Sequence, residues 1–346
     1  MEELKERILQ ALRGVQDPEL HQDLVSLGMV GSLELQGQHL RLQINLTTPA
    51  CPLRERIDQE IREALRPLGL EVELSFGQTV RSPQQLPLPG VKHIVAIASG
   101  KGGVGKSTVA ANLAVALALE GTQVGLLDAD VYGPSQAQMF GTQSERLRVS
   151  SEKKILPLDV HGIRLLSIAN MVPPGQAMVW RGPILHSTLR QFLQDVAWGD
   201  LDYLIVDLPP GTGDVQLSLS QLAKVTGGVI VTTPQEVARI DAERALDMFR
   251  KVQIPILGVI ENMSYYLEGE RKVFLFGEGG GKRLAEAQGV PLLGEIPLSM
   301  AIREGGDEGR PLVLAHPEAP EAEAFRNIAR HLAGALSVHS LLLPMA

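Results

Sequence analysis

The sequence contains a single cysteine, Cys51, among 346 residues. A lone cysteine excludes disulfides within the chain, and it excludes a zinc site or an iron–sulfur cluster held by four thiolates of one chain. Any thiolate metal site must therefore recruit a second chain. The eight histidines show no spacing typical of metal ligands, so no histidine metal site is predicted.

The sequence has fewer basic than acidic residues, with 32 Lys and Arg and 40 Asp and Glu, which gives a net charge of −8. A broad nucleic-acid surface needs clustered basic residues, which this balance argues against. No apolar run is long enough to span a bilayer, and the first residues lack the order of a signal peptide. We therefore expect a cytoplasmic protein that binds neither nucleic acid nor membrane.

Residues 1–77 are predicted to form a small α+β domain, because the length suggests about two domains and the patterning changes near residue 78. One apolar helical face predicts a helix over residues 1–14, and a second helix is predicted over 53–68. Alternating apolar residues predict a hairpin of two strands, 31–35 and 40–46, and a further strand over 72–76.

A proline-rich linker is predicted over residues 78–90, where the composition favours an extended spacer. Residues 91–346 are predicted to form the second domain. Apolar, β-branched runs alternate there with helical patterns, at residues 94–98, 124–127, 163–168, 203–206, 228–232 and 256–260. Such strands are typical of an α/β fold with a mainly parallel sheet and helices on both faces.

The most informative segment is a glycine-rich loop between the first strand of this domain and the next helix, which fits the pattern Gly-x4-Gly-Lys-Ser. In such a P-loop, main-chain N–H groups surround the phosphates, Lys106 reaches the β- and γ-phosphates and Ser107 ligates Mg²⁺. The predicted nucleotide-binding residues of the loop are Gly100, Lys101, Gly102, Gly103, Val104, Gly105, Lys106, Ser107 and Thr108.

A dinucleotide site is the alternative, because the loop also reads Gly100-x-Gly102-x-x-Gly105 with Asp128 about twenty positions later. The Lys-Ser-Thr at the helix start favours an NTPase instead. So does Asp207 at a strand end, where a carboxylate would approach Mg²⁺ through water. A second glycine-rich stretch, residues 277–282, lacks the required Ser or Thr and is predicted to be a helix-entry turn.

Further polar residues follow other predicted strands. We expect Asp130 to orient the attacking water, and the Gly211 amide to sense the γ-phosphate as part of a switch. Asn262 is a candidate for hydrogen bonding an adenine edge, although a turn asparagine is nearly as common. For Asp128, Asp130 and Asp214, turn or helix-cap carboxylates are the alternative.

The early lysine of the loop, Lys101, resembles that of the deviant P-loop ATPases, a family that includes MinD, ParA and the nitrogenase iron protein. The resemblance implies a homodimer in which Lys101 reaches the partner's ATP. A cation supplied in trans stabilises the charge of the transition state. Lys101, Lys106 and Asp130 are thus the expected catalytic residues. A solvated loop lysine is the alternative.

Six segments together resemble the Mrp/ApbC family of iron–sulfur cluster carrier ATPases: Asp128-Ala-Asp-Val-Tyr-Gly-Pro-Ser135, Val179-Trp-Arg-Gly-Pro183, Asp207-Leu-Pro-Pro-Gly-Thr-Gly-Asp214, Thr232-Thr-Pro-Gln235, Glu261-Asn-Met-Ser264 and Phe276-Gly-Glu-Gly-Gly-Gly281. Residues 1–77 resemble a metal–sulfur cluster biosynthesis domain, through Asp17-Pro-Glu19 and Thr47-Thr-Pro-Ala-Cys-Pro52. The resemblance implies a homodimer with ATP, Mg²⁺ and a transient iron–sulfur cluster, serving assembly proteins and client apoproteins.

One departure from that family stands out. Its Cys-x-x-Cys lies between the Asn-Met-Ser segment and the glycine-rich turn, but residues 265–275 here contain no cysteine. Only Cys51 remains as a candidate ligand for iron or a cluster. It precedes a predicted helix, whose N-terminus would favour the thiolate, with Asp17 and Glu19 as candidate neighbours. A small buried hydrophobic residue is the alternative for Cys51.

We therefore expect an ATP-hydrolysing carrier that binds and transfers iron–sulfur clusters. A dimeric ATP switch or scaffold without its own cluster is one alternative, and the missing cysteine pair favours it. A positioning ATPase like ParA or MinD is another, but the apolar stretch 332–346 carries no Lys or Arg for a membrane. Electron transfer would require interface cysteines that this chain lacks.

Overall fold

The structure is a computed structural model that describes residues 2–16, 23–25, 29–36, 38–46, 54–78, 88–171, 182–269 and 271–342. Contacts divide the chain into two compact units, Met1–Ser82 with Ala333–Ala346, and Pro83–Leu332. This division places residues 333–346 with the first unit. The domain bounds expected from the sequence, 1–77, 78–90 and 91–346, stay a prediction.

In its described residues up to position 78, the first unit contains a three-stranded sheet with two helices. Its elements are α1 (Glu2–Leu12), β1 (Val30–Gln36), β2 (His39–Leu46), α2 (Arg54–Leu65) and β3 (Glu71–Gln78). Strand β1 pairs antiparallel with β2, which confirms the predicted hairpin, and β2 pairs parallel with β3. The apolar stripes of both helices are buried against β2, whose Leu40, Leu42 and Ile44 are also buried. The order of elements predicted from the sequence is confirmed.

The second unit is built on an eight-stranded sheet in the order β15-β12-β11-β4-β10-β5-β9-β8. The strands are β4 (Val91–Ser99), β5 (Val124–Asp128), β8 (Leu158–Val160), β9 (Ile163–Ser167), β10 (Leu201–Asp207), β11 (Gly227–Thr232), β12 (Ile256–Glu261) and β15 (Leu292–Glu295). All neighbours pair parallel except β8 and β9. Two small antiparallel pairs also form, β6 (Arg148–Val149) with β7 (Ile155–Leu156) and β13 (Tyr266–Glu268) with β14 (Arg271–Val273).

Helices connect the parallel strands, as a parallel pair requires. They are α3 (Lys106–Leu119), α4 (Gln136–Met139), α5 (Gly182–Gln194), α6 (Asp214–Leu222), α7 (Glu236–Lys251) and α8 (Gly280–Gln288). Helices α9 (Met300–Asp307), α10 (Leu312–Ala315) and α11 (Pro320–Leu342) follow β15. No helix in the described ranges combines the length and apolarity needed to cross a membrane.

The central strand β4 is covered on both faces. Its Ile94, Ala96 and Ala98 belong to one apolar cluster with helix residues such as Phe249 of α7, while the alternate residues Val95 and Ile97 are equally buried. The predicted α/β fold with a mainly parallel sheet is confirmed. Its carboxyl-terminal edge, where ligands bind in open α/β sheets, carries the loops after β4, β5 and β10.

Candidate functional site

The glycine-rich loop joins β4 to α3, and two of its glycines lie where no larger residue fits. A Cβ atom on Gly100 would lie 2.1 Å from the main chain of Asp241 in α7. Gly105 has a φ of +80°, and a Cβ there would lie 2.2 Å from Nδ2 of Asn262. The loop therefore packs closely against its surroundings, and its main chain is open to a ligand at the N-terminus of α3, where free N–H groups attract anions.

Lys106 begins α3 with its ammonium group buried. Its Nζ forms a very short ion pair with Oδ1 of Asp207, lies 3.2 Å from Oγ of Ser107 and lies 3.9 Å from Oδ2 of Asp130. A buried charge is stable only when it is paired, so the two carboxylates hold the ammonium group at the mouth of the loop. Phosphate oxygens could replace these partners without uncovering the charge.

Asp207 ends β10 and is fully buried. Its second carboxylate oxygen, Oδ2, accepts a hydrogen bond of 2.7 Å from Nε2 of Gln136. The same Nε2 donates to the main-chain oxygen of Ser107 at 3.0 Å. Gln136 thus links the carboxylate to the residue that carries the loop hydroxyl. The sequence interpretation missed Gln136, although it directly follows the recognised segment that ends at Ser135.

Asp128 ends β5 opposite Asp207 on the neighbouring strand. Its Oδ2 accepts hydrogen bonds from Oγ of Ser167 and from the main-chain N–H groups of Ser135 and Gln136, at 2.8, 3.1 and 3.0 Å. Complete burial, together with the negative charge of Asp207, raises the pKa of Asp128 to about 7. These bonds show that Asp128 folds the loop after β5 back onto the strand ends.

Asp130 lies in that loop and is nearly buried beside Lys106. Its Oδ1 accepts a hydrogen bond from the N–H of Gly133 at 3.2 Å, so one oxygen is held by the loop while the other faces the ammonium group. The structure therefore brings Asp130, Lys106, Ser107 and Asp207 together at one point. The expected role of Asp130, to orient the attacking water, stays a prediction.

Gly211 lies in the loop after β10 with a φ of +91°. Its N–H, expected to sense a γ-phosphate, donates to the main-chain oxygen of Ser99 at 2.8 Å. The Gln216 side chain holds the same loop by donating to the carbonyl oxygens of Pro209 and Gly211. In this state the loop is bonded to the end of β4, so sensing a phosphate through this N–H requires the bond to open.

Lys101 lies half-buried in the loop between β4 and α3. Its main-chain oxygen accepts a hydrogen bond of 3.0 Å from Oγ of Ser99. The ion pairs of the described residues at this edge involve Lys106 and not Lys101. The side chain of Lys101 therefore has no fixed carboxylate partner within the described part of the chain, and its expected role toward a second subunit stays a prediction.

Asn262 follows β12 and is nearly buried. Its Nδ2 donates to the main-chain oxygen of Val104 at 2.9 Å, and its N–H donates to that of Thr232 at 2.8 Å. It also lines a cavity of about 290 Å³ next to the glycine-rich loop. Other residues of the lining are Gly105, Thr108, Pro297, Leu298, Ile302 and Arg303.

Residues 297–303 were not predicted to contribute to the site, because this segment carries no recognisable motif. The available signal was its position after β15, at the same edge of the sheet as the other loops. By contrast, the glycine-rich stretch 277–282 is a helix-entry turn, as predicted. Gly279 precedes α8 with a φ of +66°, and the N–H of Gly281 donates to the carboxylate of Glu261.

A magnesium ion fits this donor set. Ser107 offers a hydroxyl, while Asp207 and Asp130 offer carboxylates, which are the hard oxygen ligands that Mg²⁺ takes together with phosphate oxygens. The side-chain oxygen Oε1 of Gln136 is also buried here without a hydrogen-bond partner. Within the described ranges no group of three or more His, Cys, Asp and Glu could hold a metal ion by itself.

The residues of the candidate thiolate site, Cys51, Asp17 and Glu19, lie outside the described residues. The segment where the related family has its cysteine pair forms the hairpin β13–β14. Tyr265 contacts Phe274 edge-on in this hairpin, and Nζ of Lys272 lies 3.9 Å from the centre of the Tyr265 ring. Aromatic and cation contacts therefore join the two ends of this cysteine-free segment.

Comparison with known proteins agrees with this geometry. A family model described as NUBPL iron-transfer P-loop NTPase matches residues 90–333, and a model described as iron-sulfur cluster assembly protein matches residues 5–76. Two relatives named iron-sulfur cluster carrier protein are 56% and 38% identical. The first, from Deinococcus radiodurans, aligns over 98% of this chain and 97% of its own length. The second, from Escherichia coli K12, aligns over 99% and 95%.

Solved structures show the same fold over about two thirds of the chain. A nucleotide-binding protein in complex with ADP from Archaeoglobus fulgidus is 39% identical with a TM-score of 0.59, over 68% of this chain and 93% of that one. The septum site-determining protein MinD from Pyrococcus horikoshii, complexed with Mg-ADP, is 27% identical with a TM-score of 0.52, over 68% and 94%.

Proposed function

The chain belongs to the family of NUBPL iron-transfer P-loop NTPases, and we propose that it is an iron–sulfur cluster carrier that binds and hydrolyses ATP. The observation that carries this proposal is the group of Lys106, Ser107, Asp130 and Asp207 at the N-terminus of α3. It occurs in a chain that aligns over nearly its whole length with proteins named iron-sulfur cluster carrier.

We expect ATP to bind through the charge of Lys106 and through main-chain N–H groups. The triphosphate would accept hydrogen bonds from the N–H groups at the start of α3 and would draw Nζ of Lys106 away from Asp207. Ser107 and the released Asp207 would then face the magnesium ion. When bound, magnesium neutralises charge on the β- and γ-phosphates.

The base would occupy the cavity lined by Asn262 and by Pro297, Leu298 and Ile302. One N–H of Asn262 Nδ2 donates to the main-chain oxygen of Val104, so its second N–H and its Oδ1 are left for a base. This donor and acceptor match adenine, which offers its exocyclic amino group beside the acceptor N7, whereas guanine offers two acceptors, O6 and N7, on the same edge. This arrangement favours ATP over GTP.

Hydrolysis would require Asp130 to orient the attacking water and Lys101 of a second copy to reach the γ-phosphate. A cation supplied in this way is worth a factor on the order of 10³–10⁵ in rate. We therefore propose a homodimer with nucleotide at its interface.

The cargo would bind at Cys51, the chain's one thiol. A dimer offers two thiolates, so a cluster that needs four must take the others from glutathione, an assembly protein or a client apoprotein. Transfer to a client would then be a ligand exchange in which client cysteines replace the outside ligands and then the two Cys51 thiolates.

A second candidate function is a dimeric ATP switch or scaffold that holds no cluster. It is favoured by the cysteine-free sequence of residues 265–275, where the related family has its thiolate pair.

Anaerobic reconstitution tests the choice. Wild type and Cys51→Ser would be incubated with iron and sulfide, with and without glutathione, and then assayed for bound iron, acid-labile sulfide, the visible spectrum and ATPase activity. We expect wild type to bind a cluster and Cys51→Ser to lose it while its ATPase activity is unchanged. A wild type that hydrolyses ATP and binds no cluster under any condition would support the scaffold function instead.

A further inference from the structure

The environment of Gln136 leaves only one orientation for its amide group. Both groups that face its Nε2 are acceptors, the Oδ2 of Asp207 at 2.7 Å and the main-chain oxygen of Ser107 at 3.0 Å. Turning the amide over would point its oxygen at two other oxygens. The NH₂ group must therefore face Asp207 and Ser107, which assigns the other position of the same amide group to Oε1.

In that orientation Oε1 is left without a donor. Gln136 is fully buried, and Oε1 has no hydrogen-bond partner among the described residues. Oγ of the preceding residue, Ser135, is buried without a partner as well. Buried polar atoms in folded proteins are almost always paired, so an unpaired amide oxygen beside a ligand site points to a donor that arrives with the ligand.

Gln136 also becomes the main support of Asp207 once a nucleotide is bound. In the structure Lys106 holds Oδ1 of Asp207 and Gln136 holds Oδ2. If the phosphates draw Lys106 away, the bond from Gln136 remains.

We propose that Gln136 is a positioning residue for the magnesium ion of the proposed ATP site: its NH₂ group fixes Asp207 relative to Ser107, and its Oε1 accepts a hydrogen bond from a metal-bound water. The inference rests on the proposed function, since it requires Mg²⁺ to bind with the nucleotide. Groups that hold metal ligands in this way are typically worth 10–100-fold in metal affinity.

The test is a Mg²⁺ titration of the full-length protein with a fluorescent ADP analogue bound. The variant is Gln136→Met, which keeps the length of the side chain and removes both hydrogen-bonding groups. We expect its apparent Mg²⁺ dissociation constant to rise by at least about tenfold. Its affinity for the ADP analogue in EDTA should stay within about twofold of wild type, because the phosphates still meet Lys106 and α3.

Two further variants serve as checks. Gln136→Leu removes the same hydrogen bonds with a different shape and should give the same Mg²⁺ shift. Gln143→Met makes the same chemical change at an exposed glutamine a few residues further along, and it should leave Mg²⁺ binding unchanged.

The possible results distinguish a failure of this proposal from a failure of the proposed function. Unchanged Mg²⁺ affinity in both Gln136 variants would overturn the proposal. So would a fall in ADP affinity in EDTA and in melting temperature without a specific Mg²⁺ shift, because Gln136 would then only support the fold. If wild type binds the ADP analogue equally well with and without Mg²⁺, the magnesium part of the proposed function fails, and this inference fails with it.

Discussion

Lys106 is the residue whose chemistry depends most on its neighbours. Its ammonium group is buried, and in the structure its main partner is the carboxylate of Asp207. The amino-acid sequence predicted the lysine and the carboxylate separately, from a loop pattern and from a strand end. It could not predict their pairing, because that depends on how β10 lies beside β4 in the sheet.

Replacing Lys106 with alanine removes the positive charge that the phosphates would meet. We expect Lys106→Ala to lower ATP affinity by at least about a hundredfold, since a charge-assisted contact in a buried site is lost. Asp207 also loses its ion-pair partner, so the apo protein should melt at a lower temperature. Calorimetric titration with ATP and thermal unfolding measure the two effects. ATP affinity equal to that of wild type would contradict the assigned role of Lys106.

Asp128 should make stability depend on pH. Its pKa is raised from 3.8 to about 7, because burial and the charge of Asp207 disfavour its ionised form in the folded state. Between these two values the folded state binds more protons than the unfolded state, so the free energy of unfolding falls as pH rises from about 4 to about 7.

Denaturant unfolding of the nucleotide-free protein at several pH values measures this slope. Asp128→Asn cannot ionise, so its stability should change less over the same range. An identical slope in wild type and Asp128→Asn would assign the pH dependence to other groups.

At the scale of the elements, the loop between β4 and α3 leaves no room for a side chain at Gly100. We expect Gly100→Ala to destabilise the protein by roughly 1–3 kcal/mol, because the new Cβ would overlap the main chain of α7 at Asp241. Gly102→Ala is the matched control in the same loop, since its Cβ would meet only a side-chain carbon of Pro210 at 3.9 Å. Chemical denaturation compares the two. Equal stability loss in both variants would argue against a specific contact at Gly100.

The long strands were predictable from the amino-acid sequence, and the shortest strands and helices were not. Strands β4, β10 and β11 at the centre of the sheet are continuous apolar runs, and such runs identify buried parallel strands directly. The two-residue strands β6 and β7 and the hairpin β13–β14 are too short for periodicity to detect. Gln136 was missed for a related reason, since α4 has only four residues and nothing in its pattern marks one of them as buried.

At the scale of the whole molecule, the role expected for Lys101 depends on a second copy of the chain. Lys101 has no carboxylate partner within the described part of the chain, whereas Lys106 has two. If Lys101 acts in trans, each ATP site combines Asp130 of one subunit with Lys101 of the other. Two inactive variants, Lys101→Ala and Asp130→Ala, should then complement each other.

In a mixed dimer of these variants, the site on the Lys101→Ala subunit keeps its own Asp130 and receives an intact Lys101 from its partner. The other site lacks both groups. Random mixing in equal amounts makes half of the dimers mixed, with one complete site of two, so ATPase activity should recover to about one quarter of wild type. Each variant alone should be slower than wild type by a factor on the order of 10³. If Lys101 acts on its own subunit's nucleotide, mixing restores nothing, because every site then lacks one of the two groups.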